Sequence, residues 1–240
     1  MVTASGREVY DELMSIYDSI AFGYSSFRVR AWDVVNELTN CVDLVVDVGC
    51  GPCHNGLAVA QRSRSKLLCV DISREMLSVA KKAVSKFRDD SLVIRSEFVQ
   101  ADMRYLPIRS EVVGCITYIA SINHVLPDDL GRVLMECFRV LRSGGKGLIT
   151  AWAATHPTVL KGLVRNLIDV LLLRRRLGGL FDIRVPWRSR GKTFFRYYHI
   201  YRPSEVVKCL VSVGLKVVKV GVYNPHRRLL AENYYVLLIK

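Results

Sequence analysis

Acidic residues almost vanish from the last third of this 240-residue chain: from Ala151 to Lys240 there are 4 Asp/Glu against 17 Lys/Arg. The first 150 residues balance at 18 against 18, so the carboxyl-terminal stretch carries the whole formal charge of +13. That asymmetry argues against a polycationic partner. It points to a polyanionic one near the carboxyl-terminal third, unless the charge is simply a solvated basic surface. Long apolar runs are also missing. The longest, Val159 to Leu173, is broken by Lys161, Arg165 and Asp169 and is too short and too charged to span a bilayer. Between Met1 and Tyr10 no apolar run follows a basic start, so no signal peptide and no membrane partner are expected. No pair of cysteine or histidine pairs has metal-ligand spacing, so no metal is expected. The seven cysteines (Cys41, Cys50, Cys53, Cys69, Cys115, Cys137, Cys209) are odd in number and scattered, several inside apolar runs where a thiol acts as a small hydrophobe. A reducing, cytoplasmic setting fits them. Repeats and low-complexity linkers are absent, and the length suits one domain with an insertion.

Strand-like runs alternate with helical patterns. Leu44–Val48, Leu67–Val70, Glu97–Val99, Cys115–Ala120 and Gly147–Ala151 read as buried strands, with helices near His54–Ser63, Arg74–Phe87 and Asp128–Leu141. Ser143-Gly144-Gly145 is expected to stop the last of these. After Trp152 the alternation breaks until the Tyr197–Tyr201 block. It then resumes with a helix over Pro203–Val213 and strands over Leu215–Val222 and Tyr234–Ile239. This predicts a single α/β domain over residues 1–240, with a Rossmann-like, doubly wound, seven-stranded, mostly parallel sheet. Its edge is an antiparallel hairpin, and a basic insert occupies 155–195.

The central motif is Val45-Val46-Asp47-Val48-Gly49-Cys50-Gly51-Pro52-Cys53-His54: a buried strand, a glycine turn, then a helix start offering free N–H donors. Asp71 ends the next strand, where a carboxylate can accept both ribose hydroxyls of a nucleoside. Rival readings exist. Cys50-Gly51-Pro52-Cys53 matches a thioredoxin-type redox motif, and His54 extends it to the haem-attachment pattern. A nicotinamide fingerprint fails, because G-x-G-x-x-G is not completed.

The stretch resembles motif I of class I S-adenosylmethionine-dependent methyltransferases, with Asp47, Gly49 and Gly51 in place and Cys53 instead of the third glycine. Val70-Asp71-Ile72-Ser73 is similar to that family's acidic motif, Gln100-Ala101-Asp102-Met103 to its adenine-flanking loop, and Leu141 to Gly145 to the turn before its fifth strand. The resemblance implies S-adenosylmethionine as cofactor, held by Asp47, Gly49, Cys50, Gly51, Asp71, Ile72, Asp102, Met103 and Ile119. A side chain at position 53 is expected to narrow the cleft.

Three further blocks, Arg28-Val29-Arg30-Ala31-Trp32, Ile119-Ala120-Ser121-Ile122-Asn123-His124 and Arg196-Tyr197-Tyr198-His199-Ile200-Tyr201, stand in order ahead of Asn233-Tyr234-Tyr235-Val236. Together they resemble the tRNA methyltransferases that esterify 5-carboxymethyluridine at the wobble position. The resemblance implies a tRNA anticodon loop as partner and a small zinc-binding activator subunit. A carboxylate acceptor is ionised at neutral pH and needs no general base, only a clamp of donors. Arg28, His124, Arg196, Tyr198, His199 and Tyr201 suit that clamp. Trp152 and Trp187 could stack a base, at about 1–3 kcal/mol. Arg174-Arg175-Arg176, Arg184, Arg188, Arg190 and Lys192 could track phosphates, making the insert a tRNA or substrate lid. Core packing competes for Tyr198, a purely structural role for His124, and the cofactor's own carboxylate for Arg28. A small-molecule methyltransferase of quinone or lipid type and a non-catalytic RNA-binding subunit are the alternatives.

Overall fold

The structure, a computed structural model, describes residues 6–27, 29–87, 90–172, 178–189, 191–225 and 229–240. Apolar β-branched runs form the centre. Strands β1 (Leu44–Val48), β2 (Lys66–Asp71), β3 (Ser96–Gln100), β4 (Val113–Ile119) and β5 (Leu141–Trp152) are parallel. β8 (Lys216–Tyr223) and β9 (Asn233–Ile239) complete a seven-stranded sheet of order β3-β2-β1-β4-β5-β9-β8. β9 runs antiparallel to both β5 and β8, which gives the expected edge hairpin.

Helices α2 (His54–Ser63), α3 (Arg74–Ser85), the short α4 (Asp90–Ile94), α5 (Leu130–Val140) and α7 (Pro203–Ser212) connect the strands. Successive β1 side chains point to opposite faces. Val46 and Val48 join a core under α5 and α7, while Val45 joins one under α2 and α3. Ser73 caps α3 by accepting from the Met76 N–H at 3.0 Å. The strand order reverses between β1 and β4, and the carboxyl ends of these strands form the crevice where such sheets bind ligands.

Several expectations need correction. Helix α5 ends at Val140, within a residue of the expected end, but Leu141 to Gly145, expected as the turn before the fifth strand, belong to β5 itself. The amino-terminal segment is a helix, α1 (Gly6–Phe27), that packs along α3 through Ile16, Ile20, Ala21 and Met76. After Trp152, helix α6 (Pro157–Leu171) forms as the stripe of Lys161, Arg165 and Asp169 suits, and an unexpected hairpin of β6 (Asp182–Ser189) and β7 (Lys192–His199) follows as its own two-stranded sheet. Four of the seven cysteines are paired, Cys41 with Cys115 and Cys53 with Cys69, whereas all were expected as free thiols. Each paired sulfur is buried, out of reach of solvent reductants. Among the described residues no helix is long and apolar enough to cross a membrane.

Candidate active site

The glycine turn leaves β1 with Gly49 at φ +66° and Gly51 at φ +50°. A Cβ on Gly49 would lie 2.5 Å from the Ser121 Cβ, so only glycine fits between the turn and the end of β4. Cys53, at φ 61°, adopts the left-handed conformation that favours glycine, which is the physical meaning of the third motif glycine. Its side chain does not narrow the cleft: it is fully buried on the far side and bonded to Cys69.

Asp47 and Asp71 take different roles. Asp47 lies in the core, accepting from the Gly56 N–H at 3.0 Å and the Thr117 hydroxyl at 2.7 Å, and so ties strand to helix. It does not line the ligand cavity. Asp71 does, with Oδ2 accepting from the Gly51 N–H and Oδ1 from the Ser73 N–H, both at 2.9 Å. Burial pushes each carboxyl up to about 6, against the hydrogen bonds that favour the ionised form.

The cavity at this point encloses about 710 Å3, including its open mouth. Gly49, Gly51, Asp71, Ile72, Asp102, Met103 and Ile119 line it, as do His124, Ser121 and Tyr10, Leu13, Tyr17 and Tyr24 of α1. Cys50 lies in an adjoining recess with Arg30, His54 and Asn55. Asp102 also pairs with Arg104 at 2.6 Å. The α1 residues were missed in the sequence, although Tyr10, Leu13, Tyr17, Ile20 and Tyr24 repeat at helical spacing. Helix α1 is pinned at two points along its inner face. Tyr10 donates to Asp129 at 2.8 Å, and Asp18 accepts from the Ser73 hydroxyl at 2.6 Å.

S-adenosylmethionine fits this donor set. Among the described residues the cavity walls carry carboxylates and aromatic rings but no Lys or Arg, which suits a sulfonium cation. Asp71 keeps lone pairs for ribose hydroxyls.

The proposed clamp residues divide into two groups. Alternation along β7 puts Arg196 and Tyr198 on one face and Tyr197 and His199 on the other. On the first face Tyr198 packs against His124 and Trp152, with ring centroids 4.4 and 4.8 Å apart. Arg196 is 4% exposed, and its guanidinium faces the rings of Trp187, Tyr198 and Tyr17 at 5.1–5.9 Å. It donates to the Tyr17 oxygen at 3.4 Å, and its Nε has no hydrogen-bond partner among the described residues. Burial opposes its charge, but Tyr198, Tyr17 and Tyr24 hold its pKa above the ordinary value. Arg196 therefore stands one side chain behind the cavity wall.

His124 is not a donor to the cavity. Its Nδ1 lies 2.8 Å from the Tyr197 carbonyl and must carry the proton, while burial holds the pKa down to about 3. Nε2 is then an acceptor for the Tyr17 hydroxyl at 2.7 Å. On the other face His199 pairs with Asp182 at 2.7 Å, and Asp182 also accepts from the Tyr197 hydroxyl. Burial pushes the Asp182 carboxyl up, but these partners hold it below its ordinary value. Tyr201 donates to the Val125 carbonyl at 2.9 Å. His199 and Tyr201 do not line the cavity, and neither do Trp152, stacked on His156 at 4.2 Å, and Trp187, tilted against Tyr24 at 5.3 Å. Arg188 and Lys192 are exposed near the tip of the β6–β7 hairpin. Arg28, Arg190 and Arg174-Arg175-Arg176 lie outside the described residues.

Residues 45–145 match the family described as methyltransferase domain. Over 91% of its length the chain is 22% identical to a tRNA (carboxymethyluridine(34)-5-O)-methyltransferase of Schizosaccharomyces pombe, of which it covers 94%. Over 60% of its length it is 31% identical to a ubiquinone/menaquinone biosynthesis C-methyltransferase of Bartonella quintana, and it spans only 54% of that protein. Among solved structures, a SAM-dependent methyltransferase from Methanosarcina mazei has the same fold, at TM-score 0.70 and 17% identity, covering 88% of this chain and 99% of that one.

Proposed function

We propose that this chain is a class I S-adenosylmethionine-dependent methyltransferase that esterifies the carboxylate of a 5-carboxymethyluridine in a tRNA anticodon loop. The observation that carries the proposal is Arg196: a buried guanidinium with an unpartnered Nε, set in a tyrosine and tryptophan box behind the cavity wall. Its placement directly behind Tyr17 sets a positive charge beside the cavity wall, which favours an anion entering the cavity. The similarity to the fission-yeast protein, which extends over nearly the whole chain, supports the same reading.

When bound, S-adenosylmethionine supplies a methyl group already activated on a sulfonium. The protein's own task is orientation. Asp71 and the glycine turn position the nucleoside end, and α1 closes the cavity with Tyr10, Tyr17 and Tyr24. The Arg196 charge behind Tyr17 favours the acceptor carboxylate in its ionised form. No base is needed, which agrees with a His124 that is neutral and fully engaged. The insert at 155–195 acts as the tRNA lid, with Arg184, Arg188 and Lys192 exposed along its hairpin. A zinc-binding activator subunit would cover Val218, Val220 and Val222 on the edge strand β8. A cytoplasmic location goes with this substrate.

The test offers labelled S-adenosylmethionine to tRNA bearing 5-carboxymethyluridine. Label released by alkali as methanol identifies the ester. Label that resists alkali, or passes instead to a quinone precursor, rejects it. The second outcome would favour the small-molecule reading that the similarity to the Bartonella protein suggests. Arg196→Met should lower transfer to tRNA by roughly 10–10²-fold, the loss of a charge-assisted interaction worth about 1.5–3 kcal/mol, and leave cofactor affinity unchanged.

A further inference from the structure

The motif Cys50-Gly51-Pro52-Cys53 is only partly explained by cofactor binding, because neither sulfur lines the main cavity. Beneath the glycine turn the sulfurs of Cys50, Cys53 and Cys69 all lie within 4.8 Å of one another. Among the described residues no other trio of cysteine, histidine or carboxylate side chains comes so close. Two of the three are bonded, Cys53 to Cys69, and Cys50 is free and buried.

We propose that these three cysteines form an internal thiol–disulfide exchange site, in which Cys50 displaces one partner of the Cys53–Cys69 bond. The Cys50 sulfur gives up its proton and bonds to one sulfur of the pair. The Cys53–Cys69 bond breaks, and its electron pair leaves on the other sulfur, which takes up a proton. One disulfide replaces another, so neither oxidant nor reductant is consumed.

Backbone geometry allows both products. The Cys53 N–H donates to the Cys50 carbonyl at 2.8 Å, closing a turn whose ends are near enough for a Cys50–Cys53 bridge. A Cys50–Cys69 bridge would instead tie the turn directly to β2, where the Cys50 N–H already donates to the Val70 carbonyl at 3.0 Å. Each linkage repositions residue 50, which lies between the two glycines that line the cavity. Exchange is therefore coupled to cofactor binding. Burial first, then the Asp71 and Asp47 carboxylates, push the Cys50 thiol well above its ordinary range. Exchange is accordingly slow at neutral pH and is driven by base.

The test uses the full chain, free of reductant, incubated between pH 6 and 9, quenched with acid and alkylated with N-ethylmaleimide. Tandem mass spectrometry then locates the label. The three free thiols (Cys50, Cys137 and Cys209 at the start) stay three in number throughout, because exchange conserves the count. The label within the trio moves from Cys50 to Cys53 or Cys69, at a rate that rises about tenfold per pH unit and does not depend on protein concentration. S-adenosylhomocysteine at a hundred times its Kd slows the movement about a hundredfold. The Cys41–Cys115 bond stays intact as the internal reference. In Cys69→Ser, diamide closes a Cys50–Cys53 bridge. A label confined to Cys50 at pH 9, or a Cys69→Ser chain that forms no such bridge, overturns the proposal. So does a count of five thiols, the three free ones plus Cys53 and Cys69, accompanied by metal release, since the trio would then be a reduced metal site.

Discussion

Replacing Asp71 by asparagine preserves shape and removes charge, and its consequences can be worked from two hydrogen bonds. Both carboxylate oxygens accept backbone N–H groups, Gly51 on one and Ser73 on the other. An asparagine side chain offers one oxygen and one amide NH2, so one of those N–H groups must face a donor. Leaving a buried donor unsatisfied costs about 1–3 kcal/mol. For a chain of this size that lowers Tm by roughly 2–4 °C per kcal/mol. A bound nucleoside loses more. One ribose hydroxyl loses a charged acceptor, worth about 1.5–3 kcal/mol, and the other keeps only a neutral one. Together these predict binding weaker by roughly 10²–10³-fold. Calorimetric titration with S-adenosylhomocysteine, at a pH above 7 where Asp71 is ionised, measures the ribose contribution without the sulfonium charge. A variant whose Tm falls but whose affinity stays within about threefold of the parent would refute the reasoning, because Asp71 would then only brace the turn.

Cofactor affinity should rise about tenfold per pH unit up to about 6, the value to which burial lifts Asp71, and flatten above it, because ribose hydroxyls favour the ionised form. Stability of the ligand-free chain should respond in the opposite sense. Asp47 and Asp71 are raised from 3.8 to about 6, so their contribution is full below pH 4 and is lost as pH rises through 6, which denaturant titration across that window would detect. Gly49→Ala forces a Cβ to within 2.5 Å of the Ser121 Cβ at φ +66° and should abolish cofactor binding, whereas adding Ser121→Gly should restore part of it. If both single and double variants bind normally, the close packing at the end of β4 is irrelevant. Arg188→Ala and Lys192→Ala should each reduce the log–log salt slope of tRNA binding by about 0.7; unchanged slopes would remove the hairpin from the tRNA path.

Sequence pattern carried the sheet a long way. Leu44–Val48 and His54–Ser63 appear at those boundaries because an apolar β-branched run followed by a glycine turn leaves the chain few alternatives. The antiparallel edge pair was equally readable. Two elements with clear periodicity were nonetheless missed. Helix α1 repeats Tyr10, Leu13, Tyr17, Ile20 and Tyr24 at helical spacing, and its aromatic residues obscured that period. β6 alternates Ile183, Val185 and Trp187, but Pro186 interrupts the pattern, and a two-stranded sheet tolerates proline at its edge.

The end of the cavity formed by the glycine turn and Asp71 was decided locally. A glycine with positive φ and a carboxylate at a strand end are requirements of short chain segments, visible without long-range contacts. The acceptor end was not. Whether a residue of β7 faces Tyr17 or Asp182 depends on strand alternation combined with how the hairpin packs against α1, and only the tertiary structure resolves that. The same holds for His124, whose proton is placed by the Tyr197 carbonyl 73 residues away, and for Cys53, whose sulfur turns from the cleft because Cys69 lies beneath it. A residue's type follows from the sequence, whereas what it faces is fixed by contacts between segments far apart in the chain.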